Sequence, residues 1–298
     1  MKVAVVFGGK SSERDVSIDT KNSVLKALEE LKISAVELEL DKELSENLKK
    51  NKIDLVFNAC HGTYGEDGRL PALLDILEIP YTHSGFSSSH IGMNKILSKD
   101  MADLIGITQP EYGLVEDLDN IPPKALSVMS GPFVIKPVSQ GSSVGVHIFK
   151  DPKSFKPKPE YMKYGPLLVE EYIDGQEVHA VVIANRAIGA VEIRPKGEFY
   201  DYKAKYSSAD TEYLIPPQIG AVVYNDLLNE AEVLHNFIGC NYISRIDFLV
   251  RGEEIFLLEI NTHPGFTKTS LVPKVAGDKG VSFKDIVKSL IDSAKYEV

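Results

Sequence analysis

Cysteine is scarce in this 298-residue chain. Cys60 and Cys240 are the only two and lie far apart, which argues against a disulfide framework and for a reducing compartment. Basic residues are outnumbered, 33 lysines and arginines against 43 aspartates and glutamates, giving a formal net charge of -10 and a pI near 5.3. General binding to nucleic acid or to an anionic membrane needs a basic footprint, so neither is expected as a partner. An anionic ligand must therefore be held by local lysines, arginines and backbone N–H groups. No apolar run approaches a membrane span, and the one at Val3 to Phe7 is too short for a signal peptide core. A cytoplasmic location is expected. There is no repeat at solenoid periods, and Gly8-Gly9 lacks the third glycine of a dinucleotide fingerprint.

What is present is an ordinary globular composition, 43% apolar and 26% charged, in a chain long enough for two or three domains. The first ninety residues alternate strand and helix. Val3–Phe7 is a continuous apolar run, as expected of a parallel strand covered on both faces, and Ser34–Leu40 and Asp54–Asn58 read as the next strands. A helix is predicted from about Ile18 to Leu31. Open sheets of this kind bind ligands at the carboxyl ends of their strands, where the loops Gly8–Ser17 and Cys60–Gly68 fall. Cys60-His61 does not suggest a thiol nucleophile, because no orienting base is legible and a cysteine closing an apolar strand is packing. A boundary is expected at Pro80–Gly85, followed by one helix over Ser87–Ile105.

The middle of the chain is strand-rich. Pro132–Pro137 ends in Lys136-Pro137 and leads into Val138–Val146, a small-residue hairpin whose glycines and serines permit close backbone approach to a phosphate. Lys150–Lys163 reads as a solvated surface loop. Further strands are predicted at Leu167–Ile173, Glu177–Ala184 and Ala187–Ile193, with a polar loop around Asp201–Tyr206 that could close over a site. Helices are predicted at Asn225–Phe237 and Ser282–Ala294.

The densest chemistry lies near the C-terminus. Tyr242–Val250 alternates around Arg245 and Asp247, and Ile255–Leu258 runs apolar into Glu259, so both read as strands joined by a hairpin at Arg251-Gly252-Glu253-Glu254. Setting Asp247 opposite Glu259 predicts Arg251 paired with Ile255 and a three-residue loop, Gly252–Glu254. A two-residue loop would set Asp247 opposite Leu258 instead. Asp247, Glu259 and Asn261 are hard oxygen donors beside an arginine, a set suited to Mg²⁺ and a phosphate.

These motifs together resemble the ATP-grasp superfamily and, within it, the D-alanine:D-alanine ligase family. The resemblance runs over essentially the whole chain, through Gly8-Gly9-Lys-Ser-Ser-Glu13, His61-Gly-Thr-Tyr-Gly-Glu66-Asp67-Gly68, Lys136-Pro137 with Gly141–Gly145, Arg245-Ile-Asp247, and Glu259-Ile-Asn261-Thr-His-Pro-Gly265 with Ser270–Pro273. It implies an α/β fold, α+β in its later parts: an N-terminal doubly wound parallel-sheet domain (1–88), then central (89–173) and C-terminal (174–298) ATP-grasp subdomains. The implied reaction joins two D-alanines through a D-alanyl phosphate, with ATP as co-substrate, Mg²⁺ or Mn²⁺ as cofactor, and a homodimer as the assembly.

By the same resemblance Lys95 and Lys136 hold the α- and β-phosphates and Lys205 approaches the γ-phosphate. Glu170, Tyr172 and Ile173 meet adenine, and Glu177 accepts from the ribose. Asp247, Glu259 and Asn261 bind the metal, while Arg245 and the Gly265 N–H stabilise the oxyanion. Glu13, assisted by His61 and networked with Ser142 and Tyr206, holds the first D-alanine's ammonium. Ser270 and the Leu271 N–H hold the second D-alanine's carboxylate. His83, His179, His263, Phe266 and a short linker around Lys150–Tyr164 depart from the commoner family pattern. Two other functions fit the motifs less fully: a different ATP-grasp carboxylate–amine ligase and a non-catalytic nucleotide-binding module.

Overall fold

Apolar runs buried on both faces build two of the three strands of the first sheet, the first and the third in the chain. Strands β1 (Lys2–Phe7), β2 (Ser34–Glu39) and β3 (Leu55–Asn58) are parallel in the order β2-β1-β3 in the computed structural model, which describes residues 1–195, 211–267 and 269–297. Val3 to Val6 are fully buried, as a central parallel strand requires. Helix α1 (Arg14–Glu30) starts earlier than predicted, so Ser17 is helical rather than part of the loop. Its hydroxyl accepts from the Gly8 N–H and donates to the Ala59 carbonyl, both at 2.8 Å, stitching the ends of β1 and β3 together. Helices α2 (Leu44–Asn51) and α3 (Arg69–Ile76) complete this region.

The helix predicted over Ser87–Ile105 is two helices, α4 (Phe86–Met93) and α5 (Lys95–Leu104). Asn94 breaks them: its backbone is extended, and its side chain accepts from the N–H groups of Ile96 and Leu97. The cap puts Lys95 at the first position of α5.

A four-stranded antiparallel sheet follows in the order β4-β7-β5-β6, from β4 (Tyr112–Val115), β5 (Phe133–Pro137), β6 (His147–Phe149) and β7 (Leu167–Glu171), with α6 (Pro123–Val128) packed on it. Residues 150–163 are largely exposed, as expected from their lysines and prolines, but they are anchored. Phe155 packs edge-on against Phe133 and Phe149 and stacks on Tyr161, so aromatic residues pin the segment to the core of this sheet.

The third sheet is antiparallel in the order β10-β9-β8-β11-β12, from β8 (Gln176–Ile183), β9 (Arg186–Pro195), β10 (Thr211–Leu214), β11 (Ile243–Arg251) and β12 (Glu254–Asn261). Helix α7 (Ala221–Ile238) covers one face. Helices α8 (Leu271–Asp278) and α9 (Phe283–Asp292) return to α1, burying Val272, Val275, Ile286 and Leu290 with Val24 and Leu28 in one core.

The β11–β12 hairpin combines the loop of one expected register with the facing of the other. Arg251 pairs with Glu254, so the loop is two residues with Gly252 in a positive-φ conformation, as a glycine-first hairpin turn requires. Asp247 nonetheless faces Glu259, because a bulge at Leu258 adds one residue to β12 between Phe248 and Asp247. The bulge turns both Leu258 and Glu259 toward the same cavity.

Candidate active site

A cavity of about 570 Å³ lies between the four-stranded and five-stranded sheets. Lys136 and Glu170 line it from one side, Glu177, Asp247 and Glu259 from the other, and Tyr172 and Ile173 from the segment that links β7 to β8. The alternation of each strand puts these polar side chains on the cavity face and apolar residues on the core face.

Lys95, Lys136 and Glu170 come together, with one partner that sequence reasoning missed. Glu170 is buried between Lys99, 2.5 Å from one oxygen, and Lys136, 2.5 Å from the other. Burial pushes the Glu170 carboxyl up, but the charges of Lys136 and Lys99 outweigh it and hold the carboxyl below its ordinary range. Burial pulls the Lys99 ammonium down. Its signal was present in the sequence as a lysine one helical turn beyond Lys95, on the buried face of α5. Lys95 Nζ donates to the Gln140 carbonyl at 2.6 Å and stands 3.6 Å from Glu259.

Asp247 and Glu259 face each other across neighbouring strands, and Asn261 pairs with Arg245 on the same two strands. The Arg245 guanidinium grips Asp247 with two bonds of 2.7 Å. Asn261 Oδ1 accepts from the His263 N–H at 3.0 Å. His179, opposite Asp247 on β8, lies between that carboxylate and Glu177.

The loops at the carboxyl ends of the parallel strands converge beside the β5–β6 loop. Ser142 donates to Glu13, and the backbone at Gly141 passes close to the same carboxylate. Ser142 and Ser143 both hold positive φ, of 50° and 59°. Left-handed conformations of this kind are sparsely populated and persist where the surroundings impose them. His61 is buried with both ring nitrogens engaged, Nδ1 at 2.7 Å from Glu66 and Nε2 at 2.9 Å from the Thr20 hydroxyl. Burial drives its pKa down, but the hydrogen bond and charge of Glu66 and the charge of Glu13 outweigh this and raise it.

Behind His61 stands His263, edge to face, and His83 stacks on His263 at a centroid distance of 3.8 Å. Burial lowers the pKa of both, that of His83 to about 3, so each is kept neutral. Phe266 packs between Phe57 and Phe283. The Ser270 hydroxyl accepts from the Thr267 N–H at 3.0 Å, and Leu271 opens α8 with its N–H at the helix start. Gly265 lies beside that hydroxyl. Burial pushes the Cys60 thiol far up, in keeping with inert packing. Lys205 and Tyr206 lie outside the described residues. Among the described residues, no helix is long and apolar enough to cross a membrane.

Two antiparallel sheets closing on a cavity lined by lysines and facing carboxylates define an ATP-grasp protein. Residues 36–84 match the D-ala D-ala ligase N-terminus and residues 101–292 the D-ala D-ala ligase C-terminus, so the chain belongs to the D-ala D-ala ligase family. It is 40% identical to a D-alanine–D-alanine ligase of Geobacter sulfurreducens, over 100% of this chain and 95% of that protein. It is 39% identical to one from Wolbachia sp. subsp. Drosophila simulans, over 98% and 93%. The D-alanine–D-alanine ligase of Bacillus anthracis, solved in complex with ATP, superposes with a TM-score of 0.83 at 27% identity, covering 98% of this chain and 97% of that one.

Proposed function

We propose that this chain joins two D-alanines into D-alanyl-D-alanine at the expense of ATP, releasing ADP and phosphate and supplying a dipeptide for peptidoglycan. The observation that carries the proposal is the joining of two half-sites by one loop: Gln140 and Ser143 border the cavity of Lys95, Lys136, Asp247 and Glu259, while Ser142 between them bonds Glu13. In this reading nucleotide and amino acid lie side by side.

The chemistry follows from the poor leaving group of a free carboxylate. In this reading the first D-alanine attacks the γ-phosphate to become an acyl phosphate, and the second amine displaces phosphate. Charge builds on the transferring oxygens in both steps, so fixed cations and N–H donors supply most of the acceleration. Lys95 and Lys136 hold the α- and β-phosphates, with Lys205 at the γ-phosphate. Glu170, Tyr172 and Ile173 take adenine and Glu177 the ribose. Glu13 takes the first ammonium, with Ser142 and Tyr206 completing its network. His61, its nitrogens held by Glu66 and Thr20, contributes by orienting these groups. Arg245 and the Gly265 N–H meet the tetrahedral oxyanion, and Ser270 and the Leu271 N–H hold the second carboxylate.

Two carboxylates facing each other, with an amide oxygen two residues on, are the hard donors that Mg²⁺ or Mn²⁺ takes, so Asp247, Glu259 and Asn261 fit that ion. When bound, it neutralises phosphate charge during transfer. The reading carries with it a cytoplasmic homodimer divided near residues 88 and 173.

The test is D-alanine-dependent phosphate release, run beside other amino acids, hydroxy acids and peptides. Release that needs ATP, a divalent cation and D-alanine supports the proposal. Preference for another acceptor makes the chain a different carboxylate–amine ligase, and ATP binding without turnover makes it a nucleotide-binding module.

A further inference from the structure

His179 occupies a place that none of the roles above explains. It is directly opposite Asp247 on neighbouring antiparallel strands, and Glu177 lies two residues before it on the same face of β8. The ring is buried. Its Nε2 is 2.8 Å from Glu177 Oε1, and its Nδ1 is 3.2 Å from Asp247 Oδ1 without the geometry of a hydrogen bond. A carboxylate only accepts, so Nε2 is the donor to Glu177. Nδ1 faces an oxygen of the carboxylate that Arg245 also grips.

We propose that His179 is a positioning residue that couples the ribose-side carboxylate, Glu177, to the metal-side carboxylate, Asp247, so that nucleotide and divalent cation bind cooperatively. The inference rests on the nucleotide and metal assignments made above. A cation on Asp247 would fix the carboxylate whose oxygen Nδ1 faces, and so favour the observed ring pose. A ribose hydroxyl on Glu177 holds the carboxylate to which the same ring donates. Both ligands favour one pose of one side chain, and a coupling of this kind is reciprocal.

Two amide substitutions separate the contacts, since a glutamine amide reaches about as far as Nε2 and an asparagine amide about as far as Nδ1. ADP binding is measured by titration calorimetry in EDTA and in saturating Mg²⁺, and the ratio of the two dissociation constants gives the coupling. His179→Gln is expected to keep ADP affinity in EDTA within about 3-fold of wild type while the ratio falls by about 5-fold or more, the lower end of ordinary coupling. His179→Asn is expected to weaken ADP already in EDTA, by about 5-fold or more, because it no longer reaches Glu177. Equal weakening of both variants with and without metal overturns the proposal and leaves the ring a structural filler. An unchanged ratio in His179→Gln overturns it as well. Wild-type protein whose ADP affinity is indifferent to Mg²⁺ overturns the metal assignment itself, and the inference with it.

Discussion

At the scale of single residues, Glu170 shows how local charge sets the cost of a change. It is one buried carboxylate between two buried ammonium groups, so the cluster carries a net positive charge. Glu170→Gln leaves both lysines without a counter-charge. Removing one partner of a buried pair in this way costs about 3–5 kcal/mol. Lys99→Met, in contrast, leaves a neutral Glu170–Lys136 pair and fills the space of the lysine stem. Its expected cost is at most about 1–2 kcal/mol, near that of an ordinary core substitution. Urea unfolding of the two variants checks the order, and a Lys99→Met protein less stable than Glu170→Gln would contradict the charge argument. Arg245 offers a second residue-scale test. Arg245→Lys keeps the charge but loses the planar fork on Asp247, and a loss of about 10²-fold in turnover is expected, by analogy with deleting one preorganised donor. A change confined to Michaelis constants would assign Arg245 to ground-state binding.

At the scale of elements, what could be read from the sequence divides along a physical line. Strands β1, β3, β8, β11 and β12 were legible because their periodicity and burial are properties of neighbouring residues. The break at Asn94 was not, because apolar residues continue on both sides of it and an asparagine inside an apolar pattern reads as a tolerated exception. The β12 bulge was hidden for a related reason: Leu257 and Leu258 are both apolar, so nothing in the pattern marks where one face gives way to the other. The solvated reading of 150–163 holds for its exposed lysines, which hid the two aromatics that anchor it. The facing of Asp247 and Glu259 was one of two registers left open by the sequence, and the stacking of His83 on His263 joins residues 180 positions apart and leaves no local trace. The α5 cap also yields a test. Asn94→Ala removes the acceptor for two helix N–H groups and should cost about 1 kcal/mol, whereas Asn94→Asp should restore most of it. Because Lys95 is the next residue, ATP affinity should fall in the alanine variant by more than global stability explains. Equal ATP affinity in the three proteins would detach the cap from the site.

At the scale of the whole molecule, the N-terminal region and the C-terminal strands meet through buried histidines, and this makes stability depend on pH with a definite sign. His83 has a folded-state pKa of about 3 against about 6.5 when unfolded, so between these values the unfolded chain binds more protons. Stability is full above about pH 6.5 and drains as pH falls toward 3. His263 acts in the same direction. His61, whose pKa is raised, acts oppositely, with a contribution present in acid and lost as pH rises through its folded value. His83→Asn tolerates the positive φ of 71° and removes one titrating ring. Its loss of stability below pH 6 should be shallower than wild type by up to about 1.4 kcal/mol per pH unit, measured by denaturant titrations from pH 7 to 4.5. Parallel slopes would mean that His83 is not held neutral by burial.

The same meeting of distant segments predicts that the two amino-acid subsites fail independently. Glu13 stands at the start of α1 beside the parallel sheet, and Ser270 at the start of α8 beyond β11 and β12, so under the proposed assignments the acyl donor and the attacking amine are gripped by different parts of the chain. Ser270→Ala removes one hydrogen bond to a charged carboxylate, worth about 1.5–3 kcal/mol, and should mainly raise the Michaelis constant for the second D-alanine. Part of that loss is indirect, because the Ser270 hydroxyl also accepts from the Thr267 N–H and so shapes the turn after Gly265. Ser270→Thr keeps the acceptor and should recover part of the affinity. Glu13→Gln removes the counter-charge to an ammonium while keeping an acceptor for Ser142, and it should raise the first Michaelis constant instead. Initial rates over a wide range of D-alanine concentration resolve the two constants, and a common shift in both variants would show that the subsites are not divided between these segments.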